Sequence, residues 1–290
     1  MRGDNRRMAE LMLRTDQPLF VFGGCYSNLQ ATRAVLAIAG QLGFDASHII
    51  CTGDVVAYCG DPQETVDLVR RSGIRVVMGN CEESLAAGAG DCGCGFEAGS
   101  ACERLSVDWY AFAKAHLDED ARKWMRGLPR KIEIEMCGRK LVAIHGGGRQ
   151  MNRFIFESTP ISVKEEEFMD LKCDGVVAGH CGLPFTQIIY GRLWHNSGAV
   201  GMPANDGTPR TWYSILRPIA DEIVIEPRPL SYPAQDASAR IRARGLTGGY
   251  DSALLTGLWP SMDVLPAYEQ RRRGAPLTRH FVQWPMLLEA

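Results

Sequence analysis

Four short apolar runs, each followed by a polar residue that can bind a metal, constrain the fold of this chain most strongly. The polar residues are Asp54, Asn80, His145 and His180. The runs before them are rich in β-branched residues, which is typical of buried strands. A carboxylate, an amide oxygen and two imidazoles are suitable ligands for hard to borderline divalent metals. The pattern therefore predicts a metal site at the ends of strands.

Composition indicates an ordinary globular protein. The 290 residues suit one large domain or one domain with an extension, and the hydrophobic (46%) and charged (23%) fractions are typical of such domains. A net charge of −2 gives no electrostatic basis for a nucleic-acid or membrane partner. No apolar stretch approaches the about 20 residues that span a bilayer. Residues 1–17 lack the apolar core of a secretory signal, so we expect a solvated leader or short helix and a cytoplasmic protein.

The order of predicted elements indicates an α/β fold. Strands at 19–22 and before Asp54 and Asn80 alternate with helices at 28–43 and 61–71, which favours a parallel core. A helix at 106–126 is followed by predicted strands at 131–136, 140–145, 175–179, 187–190, 192–195 and 211–216. We expect a leader at 1–17, a domain at 18–232 with a Cys- and Gly-rich insertion at 81–102, and a helical C-terminal extension at 233–290.

The motifs in this order resemble those of the calcineurin-like metallophosphoesterases. Gly53-Asp54, Gly79-Asn80, His145-Gly146 and Gly179-His180 are similar to the GD, GN, HG and GH signatures of that family, and residues 196–201 are similar to the Asn-x-Gly-Ser stretch that follows. The resemblance covers about residues 18–217. It implies a four-layer α/β/β/α sandwich with two mixed sheets.

The chain also departs from the family pattern, and the departures are grouped. The family holds two metals about 3.5–4 Å apart. The ligands that belong to one metal alone map to Gly24, Tyr26 and Gly182, of which only the Tyr26 phenol could bind a metal. The ligands of the other metal map to Asp54, Asn80, His145 and His180, and all four are present. The resemblance therefore implies a mononuclear site for one divalent ion, zinc, iron or manganese, which polarises a phosphoryl oxygen and lowers the pKa of bound water.

The function implied is metal-dependent hydrolysis of a small phosphate mono- or diester. Cys81 takes the position of the family histidine that handles the proton of the leaving group. It is the candidate catalytic thiol, as an acid, a nucleophile or a soft ligand, and the alternative is an inert small residue. Arg149, or Arg153 instead, could bind the phosphate of a small phosphorylated partner, and Asn28 is a further substrate-binding candidate.

The ten cysteines leave alternatives open. Cys25, Cys81 and Cys181 follow motif strands, and could rebuild the second metal site with soft ligands, form a redox pair or be incidental. Cys81, Cys92, Cys94 and Cys102 supply enough thiols for zinc or an iron–sulfur cluster, or for a loop of free or disulfide-bonded thiols. Two functions therefore compete with the phosphoesterase: a non-catalytic metal- or ligand-binding descendant of the fold, and a thiol or metal-cluster redox protein.

Overall fold

A computed structural model describes residues 12–220, 222–246 and 248–285, in which twelve strands form two six-stranded sheets. The first sheet contains, in spatial order, β1 (Met12–Arg14), β5 (Lys131–Met136), β6 (Arg139–Ile144), β7 (Gly175–Ala178), β9 (Arg192–Ser197) and β8 (Pro184–Ile189). The second contains β12 (Val282–Pro285), β11 (Glu222–Leu230), β10 (Thr211–Ile219), β2 (Leu19–Phe22), β3 (Ile49–Cys51) and β4 (Arg75–Val76). Both sheets are mixed: β2, β3 and β4 run parallel with β10 antiparallel to β2, and β6, β7 and β9 run parallel with β5 antiparallel to β6.

The described part of the chain also contains nine α-helices. They are α1 (Leu29–Gln41), α2 (Pro62–Ser72), α3 (Asn80–Ala87), α4 (Ala101–His116), α5 (Glu119–Arg126), α6 (Ile161–Leu171), α7 (Ala234–Ala243), α8 (Tyr250–Thr256) and α9 (Ala267–Arg271). Within these ranges, no helix combines the length and the apolar character needed to cross a membrane.

The layered architecture of the fold arises because the central strands carry apolar side chains on both faces, so both faces of each sheet must be covered. Successive side chains of a strand point to opposite sides of its sheet. Leu19 and Val21 of β2 therefore share a buried cluster between the sheets with Leu141 of β6, whereas Phe20 and Phe22 pack in a second cluster beneath the helices. Because both faces of each sheet are covered, the fold is the predicted four-layer α/β/β/α sandwich with two mixed sheets, and that prediction is confirmed.

Two local predictions differ from the structure. The helix predicted at 106–126 is two helices, α4 and α5, because the Asp118 side chain accepts a hydrogen bond from Ala121 N at 2.7 Å and starts a new helix there. The segment predicted as an insertion at 81–102 is helical at its start, since α3 begins at Asn80 and ends before Gly88, which has a positive φ of 67°.

Both ends of the described chain add edge strands. Met12–Arg14, which falls in the predicted leader, pairs in parallel with β5, and residues 1–11 lie outside the described residues. The predicted C-terminal extension contributes α7, α8, α9 and β12, and Trp284 of β12 is fully buried against the core between the sheets. Residues 286–290 also lie outside the description.

Candidate metal site

Four polar side chains from both sheets meet at one point. Asp54 follows β3, Asn80 follows β4, His145 follows β6 and His180 follows β7, so all four lie beyond the carboxyl ends of parallel strands. His145 Nε2 lies 3.0 Å from His180 Nδ1, 3.1 Å from Asn80 Oδ1 and 3.2 Å from Asp54 Oδ2. We call these four residues the ligand cluster.

The surrounding hydrogen bonds fix which atoms carry protons. His145 Nδ1 donates to the backbone carbonyl of Thr52 at 2.7 Å, so in the neutral ring Nε2 presents a lone pair. The Asn80 amide nitrogen donates to the carbonyl of Cys92 at 2.9 Å, which turns Oδ1 toward His145. A carbonyl partner on the outer imidazole nitrogen is the usual support of a metal-binding histidine.

These atoms fit a divalent cation. Oδ2 of Asp54, Oδ1 of Asn80 and Nε2 of neutral His145 are lone-pair donors that face one another at short range. Donors about 2.0–2.2 Å from one ion are separated by roughly 3.3–3.6 Å in a tetrahedral arrangement, slightly more than the separations seen here. A mixed nitrogen and oxygen set of this kind suits zinc, iron or manganese.

Burial strengthens the electrostatic coupling within the cluster. The four side chains belong to residues that are 2% to 7% exposed. Burial raises the pKa of Asp54, but the adjacent His145 and His180 outweigh it and hold that pKa below its usual value. Burial lowers the pKa of His145, but Asp54 reverses the shift and leaves it raised. The pKa of His180 falls to about 3 because it is buried and next to His145.

Glu82 holds the Asp54 loop in place and was missed by the sequence analysis. Its carboxylate accepts hydrogen bonds from the backbone N–H groups of Asp54 at 2.8 Å, Gly79 at 3.0 Å and Val56 at 3.2 Å. Asp54 itself has a left-handed φ of 55°, which is uncommon for residues other than glycine, although Asp adopts it more often than most. Burial and then Asp54 raise the pKa of Glu82 to about 7. The spacing from Gly79 to Glu82 is that of a helix capping box, a signal present in the sequence.

Close packing beside Asp54 requires a glycine at position 79. A Cβ built on Gly79 would overlap Asp54 Oδ1 and would lie 2.5 Å from the Asp54 backbone nitrogen. Cys81 N donates to the same Oδ1 at 3.2 Å, so the turn at 79–81 orients the carboxylate through its backbone. The helical start of α3 thus explains both the glycine and the direction of the Asp54 side chain.

The neighbouring position, which the resemblance assigns to a second metal, is occupied by an aromatic ring. A Cβ built on Gly24 would overlap the Tyr26 ring, and one built on Gly182 would lie 3.5 Å from the Tyr26 hydroxyl. Tyr26 is 5% exposed and packs edge-on against Tyr58 with ring centroids 4.9 Å apart. Burial, followed by Asp54, raises the pKa of Tyr26 well above its usual value. We call Gly24, Tyr26 and Gly182 the plugged position.

The thiols surround this region without forming a ligand group. Cys25, Cys81 and Cys181 are all buried, and each lies near enough to Tyr26 to raise the pKa of its phenol. Burial, with Asp54 and Glu82, keeps the pKa of Cys81 well above its usual value, so its thiol is neutral. Cys92 and Cys94 are joined as a disulfide. Across the described ranges, only one group of three or more His, Cys, Asp or Glu side chains lies close enough together to share an ion. That group consists of Asp54, His145 and His180.

The two predicted substrate-binding side chains have other partners. Arg149 is exposed and pairs with Asp170, with 2.5 Å between Nη2 and Oδ1. Asn28 caps α1, since its Oδ1 accepts from Ala31 N at 3.0 Å while its Nδ2 donates to the carbonyl of Gly201 at 3.0 Å. The structure brings neither side chain to the ligand cluster.

Comparison with known proteins agrees with the fold. The family model described as calcineurin-like phosphoesterase superfamily domain matches residues 24–217, and the chain belongs to this superfamily. An uncharacterized protein of Methanocaldococcus jannaschii is 24% identical over 201 residues, which cover 66% of this chain and 76% of that protein.

Solved structures show the same fold. A metallophosphoesterase from Sphaerobacter thermophilus aligns with a TM-score of 0.65 at 22% identity, over 84% of this chain and all (100%) of that one. A hypothetical protein from Pyrococcus horikoshii aligns with a TM-score of 0.68 at 16% identity, over 83% of this chain and 98% of its own. The family implies a divalent metal, and Asp54, His145 and His180 form a group that could hold one.

Proposed function

We propose that the chain is a metal-dependent phosphoesterase that hydrolyses a small phosphate mono- or diester at a mononuclear site. Asp54, Asn80, His145 and His180 would hold the ion. The observation that carries the proposal is the convergence of Asp54, Asn80 and His180 on His145 Nε2 at 3.0 to 3.2 Å. When bound, a divalent ion supplies Lewis-acid polarisation of a phosphoryl oxygen.

The surrounding residues would orient the ligands. Thr52 holds the His145 ring through its carbonyl, the carbonyl of Cys92 directs Asn80, and Glu82 fixes the loop that carries Asp54. Such support shapes a site before any ion enters, which limits reorganisation during the reaction. Burial raises the pKa of the Cys81 thiol and favours its protonated form, so we assign Cys81 the role of a proton donor to the leaving oxygen rather than that of a nucleophile.

The mononuclear assignment rests on the plugged position. A side chain at position 24 would overlap the Tyr26 ring, and the Tyr26 hydroxyl would lie 3.5 Å from a Cβ at position 182, so the ring stands where the resemblance places the ligands of a second metal. Asp54 would then serve one ion alone. The presence of bulky packing in place of ligands favours a site specialised for one metal.

The test is hydrolysis of p-nitrophenyl phosphate and bis(p-nitrophenyl) phosphate by protein reconstituted with zinc, manganese or iron(II). We expect turnover that requires metal and is lost in His145→Ala. The matched control is His116→Ala, because His116 is exposed and its Nδ1 contacts only the carbonyl of Phe112 in its own helix, at 2.7 Å. Full activity in His145→Ala would contradict the proposal.

A non-catalytic metal-binding descendant is the second candidate, and one observation favours it. Arg149 and Arg153 each pair with a carboxylate, that of Asp170 and that of Glu167, and not with a residue of the ligand cluster. In this case the protein would bind one ion tightly and turn over neither ester. Loss of metal in His145→Ala together with absence of turnover in the unmodified protein would identify it.

A further inference from the structure

An aromatic cavity adjoins the ligand cluster. It leaves about 70 Å³ for the centres of water-sized molecules, several times the roughly 10–15 Å³ that a single water needs. It meets the cluster at His180, a cluster residue that lines it, and at Tyr26 of the plugged position. A molecule with its phosphate at the cluster would therefore extend its remaining atoms into this cavity.

The walls are mainly aromatic and are held in place by packing. Six aromatic side chains line it: Tyr26, Tyr58, Phe96, Phe154, Tyr250 and Trp259. Tyr58 and Tyr250 stack with centroids 4.6 Å apart, and Phe154 lies against the His180 ring at 4.1 Å. Trp259 is fixed by two hydrogen bonds, from Nε1 to the carbonyl of Pro203 at 2.6 Å and from its backbone nitrogen to Asn205 Oδ1 at 2.9 Å.

The lack of charged side chains in the cavity wall restricts which chemical groups can bind there. None of its lining residues, all within the described ranges, is Asp, Glu, Lys or Arg. A charged organic group would lose its hydration here without gaining an ionic partner, which is unfavourable. A flat uncharged ring would bury apolar area and stack on the aromatic walls.

We propose that the organic group of the phosphoester is an uncharged planar aromatic ring bound in this cavity. The inference rests on the proposed function and adds the class of substrate. Tyr250 and Trp259 belong to the C-terminal extension, so this part of the chain would set specificity while the sandwich supplies the ligands. The ring could belong to an aryl ester or to a nucleobase, and the experiment separates the two.

The first measurement is binding, which needs no turnover. Titration calorimetry on the zinc-loaded protein compares phenylphosphonate with methylphosphonate, which carry the same phosphonate group. We expect phenylphosphonate to bind about 10-fold more tightly, because its ring becomes buried against aromatic walls. Equal affinities would overturn the proposal.

Two tryptophan variants of α4 test whether the preference for phenylphosphonate arises in the cavity. Leu105 lines the cavity, so Leu105→Trp should fill it and reduce the preference for phenylphosphonate to about 2-fold or less. Val107 lies on the same helix, is 62% exposed and does not line the cavity, so Val107→Trp should keep the full preference. An unchanged preference in Leu105→Trp would also overturn the proposal.

Hydrolysis then separates this inference from the proposed function. Benzyl phosphate and cyclohexylmethyl phosphate release alcohols of similar acidity but only the first carries an aromatic ring, and adenosine 5′-monophosphate and ribose 5-phosphate differ by a nucleobase; released phosphate is measured for all four. If the aromatic member of the first pair has the higher kcat/KM, the result supports an aryl group. If the aromatic member of the second pair has the higher kcat/KM, it supports a nucleobase. Turnover without preference in either pair overturns the cavity inference alone. Absence of all turnover overturns the proposed function, and the calorimetric ratio still decides the cavity inference.

Discussion

Two adjacent regions at the same edge of the sandwich have opposite character. In the ligand cluster, Asp54 and His145 are buried polar groups held within 3.2 Å of each other, an arrangement that a cation stabilises. In the plugged position, Tyr26 packs where Gly24 and Gly182 leave space. The difference teaches that a ligand side chain at position 24 is incompatible with the Tyr26 ring, which also lines the aromatic cavity.

Removing the charge of the ligand cluster should have the largest effect. Asp54→Asn keeps the shape of the side chain and an acceptor for Cys81 N, but removes the negative charge opposite His145. We expect metal affinity to fall at least about 100-fold, and any metal-dependent turnover to fall with it. Metal titration with a competing chelator measures the effect. Unchanged affinity would mean that the carboxylate is not a ligand.

Loss of the Glu82 support should be next in size. Glu82→Ala leaves three buried backbone N–H groups, those of Asp54, Val56 and Gly79, without their carboxylate partner. We expect the free energy of unfolding to fall by about 2–4 kcal/mol. Urea denaturation measures it, with Glu83→Ala as the control because Glu83 is a half-exposed neighbour paired with Arg130. Equal effects of the two variants would remove the proposed role of Glu82.

The plugged position can be tested by a double-mutant cycle. Gly24→Ala should destabilise the fold by about 1–3 kcal/mol, because the new Cβ meets the Tyr26 ring. In a Tyr26→Ala background the same substitution should have little effect, since the ring is gone. Gly40→Ala is the control, because no atom lies within 4 Å of the added Cβ in α1. Equal losses with and without the ring would show that Tyr26 does not fill this space.

A buried histidine outside both regions, His195, should have a smaller, pH-dependent effect on the free energy of unfolding. His195 is fully buried, its Nδ1 lies 2.9 Å from Thr186 Oγ1, and burial lowers its pKa to about 3. Its unfolded pKa is about 6.5, so its contribution to stability is complete above that pH and is lost progressively as the pH falls toward 3. The loss approaches about 1.4 kcal/mol per pH unit.

The measurement for His195 is the free energy of unfolding at pH 7, 6 and 5. His195→Gln, which does not titrate, should lower stability at pH 7 and show a flatter pH dependence than the unmodified protein. Val107→Ala should keep the original slope, because it alters an exposed side chain that carries no titratable group. Identical slopes for all three proteins would contradict a neutral buried His195.

The fold class and the ligand cluster were accessible from the sequence because each depends on local pattern. Asp54, Asn80, His145 and His180 each follow a short apolar run, and parallel strands bring such positions to one edge. The family prediction is confirmed by the match over residues 24–217. The fourfold recurrence of one pattern made the inference stronger than any single motif.

Other features could not be predicted because they depend on packing between distant segments. The aromatic cavity combines Tyr26, Phe154 and Trp259, residues that no spacing rule connects. The aromatic filling of the plugged position likewise depends on the direction of one ring. The roles of Asn28 and Glu82, by contrast, could be predicted, because helix-capping patterns in the sequence indicate them.

The most direct test of the central claim is the number of metal ions per chain. The protein is purified without chelator, incubated with zinc, freed of unbound ion by gel filtration and analysed by elemental mass spectrometry. We predict one zinc per chain in the unmodified protein and in His116→Ala, and less than about 0.1 in His145→Ala, because only Asp54 and His180 would then remain of the ligand types that zinc prefers. Two zinc ions per chain, or one retained by His145→Ala, would contradict a single ion held by Asp54, Asn80, His145 and His180.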